Sequence, residues 1–167
     1  KECMGFPVEG VFSDYGKYME TAEFIGATGN SNIRELWTER LKRSGAKLAV
    51  LIHPSATVSC FANIGVGTVV MAGAVVNAGT KIGQGVIVNT CASVDHDCEI
   101  GDYCHISVGA HIAGTVSIGK HTWIGIGAAV RNNISICENC MIGAGAVVVK
   151  RIKLKGTYVG VPATIIV

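Results

Sequence analysis

The chain has 167 residues, 49% hydrophobic and 16% charged, with a net charge of +2. That length suits one domain with a small appendage; the near-neutral charge offers no footprint for nucleic acid, and glycine and polar residues break the apolar runs too often for a membrane span. The seven cysteines are an odd number and contain no pair of CxxC motifs (Cys137 and Cys140 stand alone), so they read as reduced, structural thiols of a cytoplasmic protein. No signal peptide is visible, and a chain opening on Lys1 rather than Met reads as a fragment.

Residues 1–51 follow no repeat. Phe24 to Ala27 reads as a short strand leading into Thr28-Gly29-Asn30. Asn32 to Arg43 reads as an amphipathic helix with Ile33, Leu36, Trp37 and Leu41 as its apolar stripe and Gly45 as its C-terminal stop. Leu48 to Ile52 reads as another strand, so this stretch resembles part of an α/β domain. A first βα unit with a glycine-rich phosphate loop is expected upstream of it and is not found in the sequence.

From Ile52 to Val148 an isoleucine or valine occupies every sixth position, seventeen in all, with no insertion. A strict six-residue period predicts a parallel β-helix, one short strand and one corner per unit. Four residues after each aliphatic comes a small residue, as in Ala74, Thr80, Cys98 and Cys104; Val86, Val116 and Ile134 are larger exceptions. Side chains alternate across a strand, so the small residue and the aliphatic two places later both point inward. Asp102, Gly109, Gly127, Asn132 and Asn133 mark corners. Three units make an eighteen-residue coil, and the series supplies between five and six coils stacked about 4.8 Å apart.

The candidate chemistry lies between Asn89 and Gly114. His96 and Asp97 take a corner position, and Gly114 takes the same corner one coil later. The repeat therefore predicts that the Gly114 backbone lies about one strand spacing from that of His96. An imidazole that titrates near neutrality beside an unobstructed amide suits acyl transfer, which needs a base for the attacking group and a donor for the oxyanion. His105 and His111 point outward from two other positions, His105 on the face opposite the His96 corner. One prism cannot bring them together, so the reading is a trimer with active sites between subunits. His53 and His121 read as structural. Lys150 to Lys155 is a basic stretch, either a solvated cap or an attractor for an anionic cofactor.

The chain resembles the hexapeptide-repeat acetyltransferases of the NeuD/PglD type, sialic-acid O-acetyltransferases and nucleotide-aminosugar N-acetyltransferases of bacterial glycan pathways. The resemblance rests on Gly29-Asn30 with Ile33-Arg34, Leu51-Ile52-His53, Asn89-Thr90, Val94-Asp95-His96-Asp97, His105-Ile106-Ser107-Val108-Gly109-Ala110, Ala113-Gly114 and Val159-Gly160-Val161-Pro162-Ala163. It implies a left-handed β-helix, a homotrimer and acetyl-CoA as cosubstrate. It further implies His96 as general base, Asp97 as its orienting acid, His105 near the acceptor, and the Gly114 amide on the acetyl thioester. No metal is expected.

The expected organisation is an incomplete N-terminal α/β segment at 1–51 on the acceptor side, a β-helix at 52–150 and a C-terminal cap at 151–167. The expected reaction is N-acetylation of a UDP-linked 4-aminosugar. Sialic-acid O-acetylation, a zinc enzyme like the γ-class carbonic anhydrases, and a non-catalytic scaffold are the alternatives.

Overall fold

The computed structural model describes residues 2–166. All seventeen repeat aliphatics are the second residue of a two-residue strand, from Leu51–Ile52 through Val147–Val148. Strands pair in parallel with the strand eighteen residues on, as Ser93 with His111 and Val94 with Ile112. Three sheets result. The first face carries Leu51–Ile52, Ile87–Val88, His105–Ile106, Trp123–Ile124 and Met141–Ile142 among its strands; the second carries Val75–Val76, Ser93–Val94, His111–Ile112 and Ala129–Val130; the third carries Lys81–Ile82, Glu99–Ile100 and Ser117–Ile118. A hairpin of Thr157–Val159 and Thr164–Ile166 extends the first face and closes the C-terminal end.

The prism interior is the core. Val76, Val88, Val94, Ile106 and Ile124 have no exposed surface, and the small inward residues Ala74, Ala92 and Ala110 are equally buried. The larger Val86, Val116 and Ile134 of that register also point inward. Inward threonines bond across the corner, as Thr68 Oγ1 to the Gly83 carbonyl (2.8 Å) and Thr122 Oγ1 to that of Cys137 (3.0 Å). Cys98 and Cys104 do the same with their thiols, onto the Ala113 and Gly119 carbonyls at 3.2 and 3.1 Å. These cysteines are more than small hydrophobes: each satisfies a corner carbonyl that the prism would otherwise bury unpaired.

The N-terminal segment departs from expectation in three places. Phe24 to Ala27 makes only one bridge, Phe24 to Leu48, and Leu51–Ile52 is the first β-helix strand rather than the end of a separate one. One pair of short strands without further neighbours has too little pairing to persist as a sheet. The helix forms as Ser31–Arg43, here α1, capped by Asn30 Oδ1, which accepts from the Asn32 and Ile33 amides, and ended by Gly45 at φ +81°. Its buried face is Arg34, Thr38 and Leu41, whereas Ile33 and Leu36 are 47% and 65% exposed. The expected apolar stripe is therefore rotated.

The reason is that α1 docks against corners of the β-helix, where the groups to be satisfied are carbonyls. Arg34 is 1% exposed and donates to the carbonyls of Gly85 (2.6 Å), Tyr103 (2.7 Å), Cys104 (3.3 Å), Thr28 (2.8 Å) and Gly29 (3.0 Å). Around it, His121 Nε2 meets Glu35 at 3.1 Å and Tyr103 donates to Glu39 at 2.9 Å. Arg34→Met leaves several buried carbonyls without donors and is expected to cost about 3 kcal/mol. Urea unfolding measures it; a loss under about 1 kcal/mol would mean that water replaces the guanidinium.

Opposite the β-helix, α1 and the segment before it enclose a groove of about 860 Å³ lined by Phe12, Tyr15, Phe24, Ile25 and Trp37. No helix of the described residues is long and apolar enough to cross a membrane.

Candidate active site

His96 lies at the corner between the second and third faces, with more than half its side chain exposed. The next residue, Asp97, adopts a left-handed backbone conformation at φ +56°. The corner closes there, and the side chain turns back so that Asp97 Oδ2 lies 2.9 Å from His96 Nδ1. Asp95 secures the other side: its Oδ1 accepts from the His96 amide and from Asn77 Nδ2, both at 2.8 Å. The carboxylates raise the His96 pKa above its ordinary value, the Asp97 hydrogen bond foremost and the Asp95 charge next. With Nδ1 held by Asp97, Nε2 is left as the proton-accepting atom.

Gly114 occupies the stacked position in the next coil. The Thr115 amide donates to the His96 carbonyl at 2.9 Å, and the Asn133 amide to the Gly114 carbonyl at 3.1 Å. The Gly114 N–H finds no acceptor among the described residues. A Cβ at Gly114 would lie 2.5 Å from His96 Nε2 and 2.6 Å from its Cε1. Only glycine leaves the imidazole its place, and the corner thus holds a base beside an uncommitted amide donor.

His105 stands apart, on the first face. It is buried, tilted against Trp123 with ring centroids 4.2 Å apart. Asn89 Nδ2 lies 3.0 Å from His105 Nε2. With that amide donating, Nε2 accepts and the proton resides on Nδ1, which is buried without a partner among the described residues. Burial, aided by the Arg34 charge, pushes the His105 pKa down to about 4. His105 is therefore a neutral, fixed hydrogen-bonding group near neutral pH, whereas the carboxylates beside His96 shift its pKa upward.

His111 is exposed on the second face, its Nδ1 2.8 Å from Ser93 Oγ. Since His105 and His111 belong to different faces, they share no site within one chain. Among the described residues the His53 side chain bonds its neighbour Ser55 alone, and His121 serves the docking of α1.

The repeat register brings together His96, Asp97 and Gly114 as expected and leaves His105 on another face. Sequence reasoning missed Asn77 and Asn89 as partners of the site. Asn77 had a signal, its place one coil before Asp95 in the same stacking column; Asn89, sixteen residues before His105, is outside that histidine's column and had none.

Asp97→Asn tests the orienting pair. Because Asp97 raises the His96 pKa, its loss lowers that pKa, and the neutral imidazole persists to lower pH. The acid limb of the kcat/KM profile is expected to move to lower pH, with a reduced plateau. A limb that stays in place would remove Asp97 from this role.

The family described as bacterial transferase hexapeptide (six repeats) matches residues 115–150. A UDP-N-acetylbacillosamine N-acetyltransferase of Bacillus subtilis is 49% identical over 49 residues, 29% of this chain and 23% of that relative, so the match spans under a quarter of the relative's length. The acetyltransferase domain of PglB from Neisseria gonorrhoeae, solved in complex with acetyl coenzyme A, is 45% identical with a TM-score of 0.97, over 99% of this chain and 81% of that one. PerB from Caulobacter crescentus, solved with CoA and GDP-perosamine, is 36% identical with a TM-score of 0.93, over 97% of this chain and 79% of that one.

Proposed function

The chain belongs to the hexapeptide-repeat sugar acetyltransferases, and on that premise we propose that it transfers the acetyl group of acetyl-CoA to the amine of a nucleotide-linked amino sugar, UDP-linked by preference. The observation that carries this reading is the corner where His96, oriented by Asp97, abuts the open amide of Gly114. The acceptor nitrogen attacks the thioester carbonyl carbon. The Gly114 N–H receives the oxyanion, and His96 Nε2 takes the proton from the attacking nitrogen. The C–S bond then breaks, coenzyme A leaves as thiolate and recovers a proton, and an amide remains on the sugar. No covalent enzyme intermediate is required. Residues 1–51, with their aromatic groove, form the acceptor side, and the free cysteines fit a cytoplasmic enzyme.

The working unit in this proposal is a homotrimer. Val108 and Ile126 stack on the corner between the first and second faces and expose 41% and 61% of their surface, an apolar ridge suited to burial against another copy. That packing sets the His105 face of one chain against the His96 corner of another. Co-folding His96→Ala with His105→Ala is expected to restore activity that neither variant has alone, because mixed trimers contain one intact site. No recovery from a verified mixture would remove His105 from the site that His96 serves.

Coenzyme A release from acetyl-CoA, with a UDP-4-amino-sugar and with sialic acid as acceptors, tests the reaction. Turnover with the amino sugar is expected. Turnover with sialic acid alone would make the chain an O-acetyltransferase, and silence with both would overturn the acceptor class.

A further inference from the structure

Cys137 and Cys140 stand at the two ends of one corner, where the third face turns into the first. Their sulfurs lie 3.5 Å apart, and both are free thiols. Each departs from its stacking column. Positions 65, 83, 101 and 119, which precede Cys137 at intervals of eighteen residues, are all glycine. A Cβ at Gly101 would lie 2.6 Å from the Lys120 amide nitrogen, so the next coil leaves no room there. The coil after Cys137 is irregular, Ile152 pairing with Ile136 at a separation of sixteen residues, and here the column carries a side chain. Cys140 holds the small inward position. Elsewhere in that register threonine and cysteine bond the carbonyl fifteen residues on, as Thr122 Oγ1 to Cys137 at 3.0 Å and Cys104 Sγ to Gly119 at 3.1 Å. The Cys140 thiol reaches the Leu154 and Glu138 carbonyls only at 3.7 and 3.8 Å, and meets Cys137 instead. Loss of its hydrogen strands neither carbonyl, since Tyr158 Oη donates to Leu154 at 2.8 Å and Glu138 is exposed.

We propose that Cys137 and Cys140 are a redox-active dithiol, a modification site where Cys137 meets a low-molecular-weight disulfide and Cys140 resolves the adduct. A four-residue turn keeps its end Cα atoms within about 7 Å, which matches the separation a disulfide bridges. Access sets the order of attack. Cys137 is half-buried, whereas Cys140 is 3% exposed. Burial, and next the Cys137 thiol beside it, push the Cys140 pKa up. Reactive thiols favour partly exposed, electropositive surroundings. The Cys137 amide bonds the Ile152 carbonyl, and exposed Lys153 follows; the carboxylate of the corner, Glu138, faces Lys120 at 4.0 Å. The Cys137 thiolate, its proton released, attacks one sulfur of the small disulfide; that S–S bond breaks and one small thiolate leaves. The deprotonated Cys140 sulfur then attacks Cys137 in the mixed disulfide, the Sγ–Sγ bond forms, and the second small thiolate leaves. The two leaving thiolates take up the two protons; the protein dithiol loses two electrons and the small disulfide gains them. In a reducing compartment such a pair is transient and senses redox poise rather than bracing the fold.

Native protein equilibrated with glutathione disulfide and glutathione at a series of ratios, then alkylated, digested with trypsin and weighed, tests this without acetyl-CoA or an acceptor. The peptide Asn132–Lys150 holds both cysteines and no other. In the wild type it is expected to lose two hydrogens as the ratio rises and to regain them with dithiothreitol, while the fully buried Cys98 and Cys104 stay reduced. In Cys140→Ser the glutathione adduct on Cys137 should be at least about tenfold more abundant than in the wild type, where Cys140 displaces it. A peptide that stays a dithiol at every ratio, or an adduct equally abundant in both proteins, overturns the pair. So does a disulfide that forms only together with oxidation of Cys98 and Cys104, the mark of unfolded chain.

Discussion

His96→Ala is expected to lower kcat by about 10²–10⁴-fold, the usual contribution of a positioned general base. Coenzyme A affinity should change little, because the side chain is a solvent-facing corner group with no part in the core. Structure should survive for the same reason. Among the described residues the only side-chain bond of His96 is to Asp97, an exposed pair of small worth to the fold. The measurement is steady-state kinetics with the amino-sugar acceptor beside a CoA titration. A fall of less than about tenfold would assign the proton to another group. His105 is a poor candidate for that role, since burial holds its pKa near 4.

Gly114→Ala is expected to be comparably damaging, by a different route. The added methyl carbon would stand 2.5 Å from His96 Nε2, well inside contact. Something must shift, and the imidazole is the end of an exposed, rotatable side chain. Gly114 is not among the residues with positive φ, so alanine meets no backbone penalty there. The unfolding midpoint should therefore move by only a few degrees while kcat falls by about 10²-fold or more, because the base leaves its line to the acceptor and the methyl covers the amide. If the damage comes through displacement of the base, adding Gly114→Ala to His96→Ala costs little further. A double variant that drops by the full product of both effects would give the amide an independent role of its own.

These two expectations draw on different depths of information. The adjacency of His96 and Gly114 was readable in the sequence, since eighteen residues of uninterrupted repeat return the chain to the same corner. The diagonal partners of the site were less so. Asn89 and His105 lie on the same face one coil apart, but which of many outward pairs bond is a matter of side-chain rotamers, and periodicity does not encode them. The α1 stripe failed for a related reason. An apolar stripe predicts burial when the docking surface is apolar. The surface α1 meets consists of corner carbonyls, so Arg34 turns inward and Ile33 and Leu36 turn out.

The sequence by itself determined the parallel β-helix, its three faces, the inward register and the stacking of Asp95, His96 and Asp97 on Ala113, Gly114 and Thr115. A six-residue period leaves each of those one solution: strand alternation sets inside from outside, and the coil length sets which residues stack. Only the tertiary structure decided the 2.5 Å approach that excludes a side chain at Gly114, the burial that keeps His105 neutral, and the face on which α1 docks. The first two depend on side-chain rotamers and packing that a backbone period does not encode, and the third on a contact between the repeat and residues outside it, where no period constrains the neighbour.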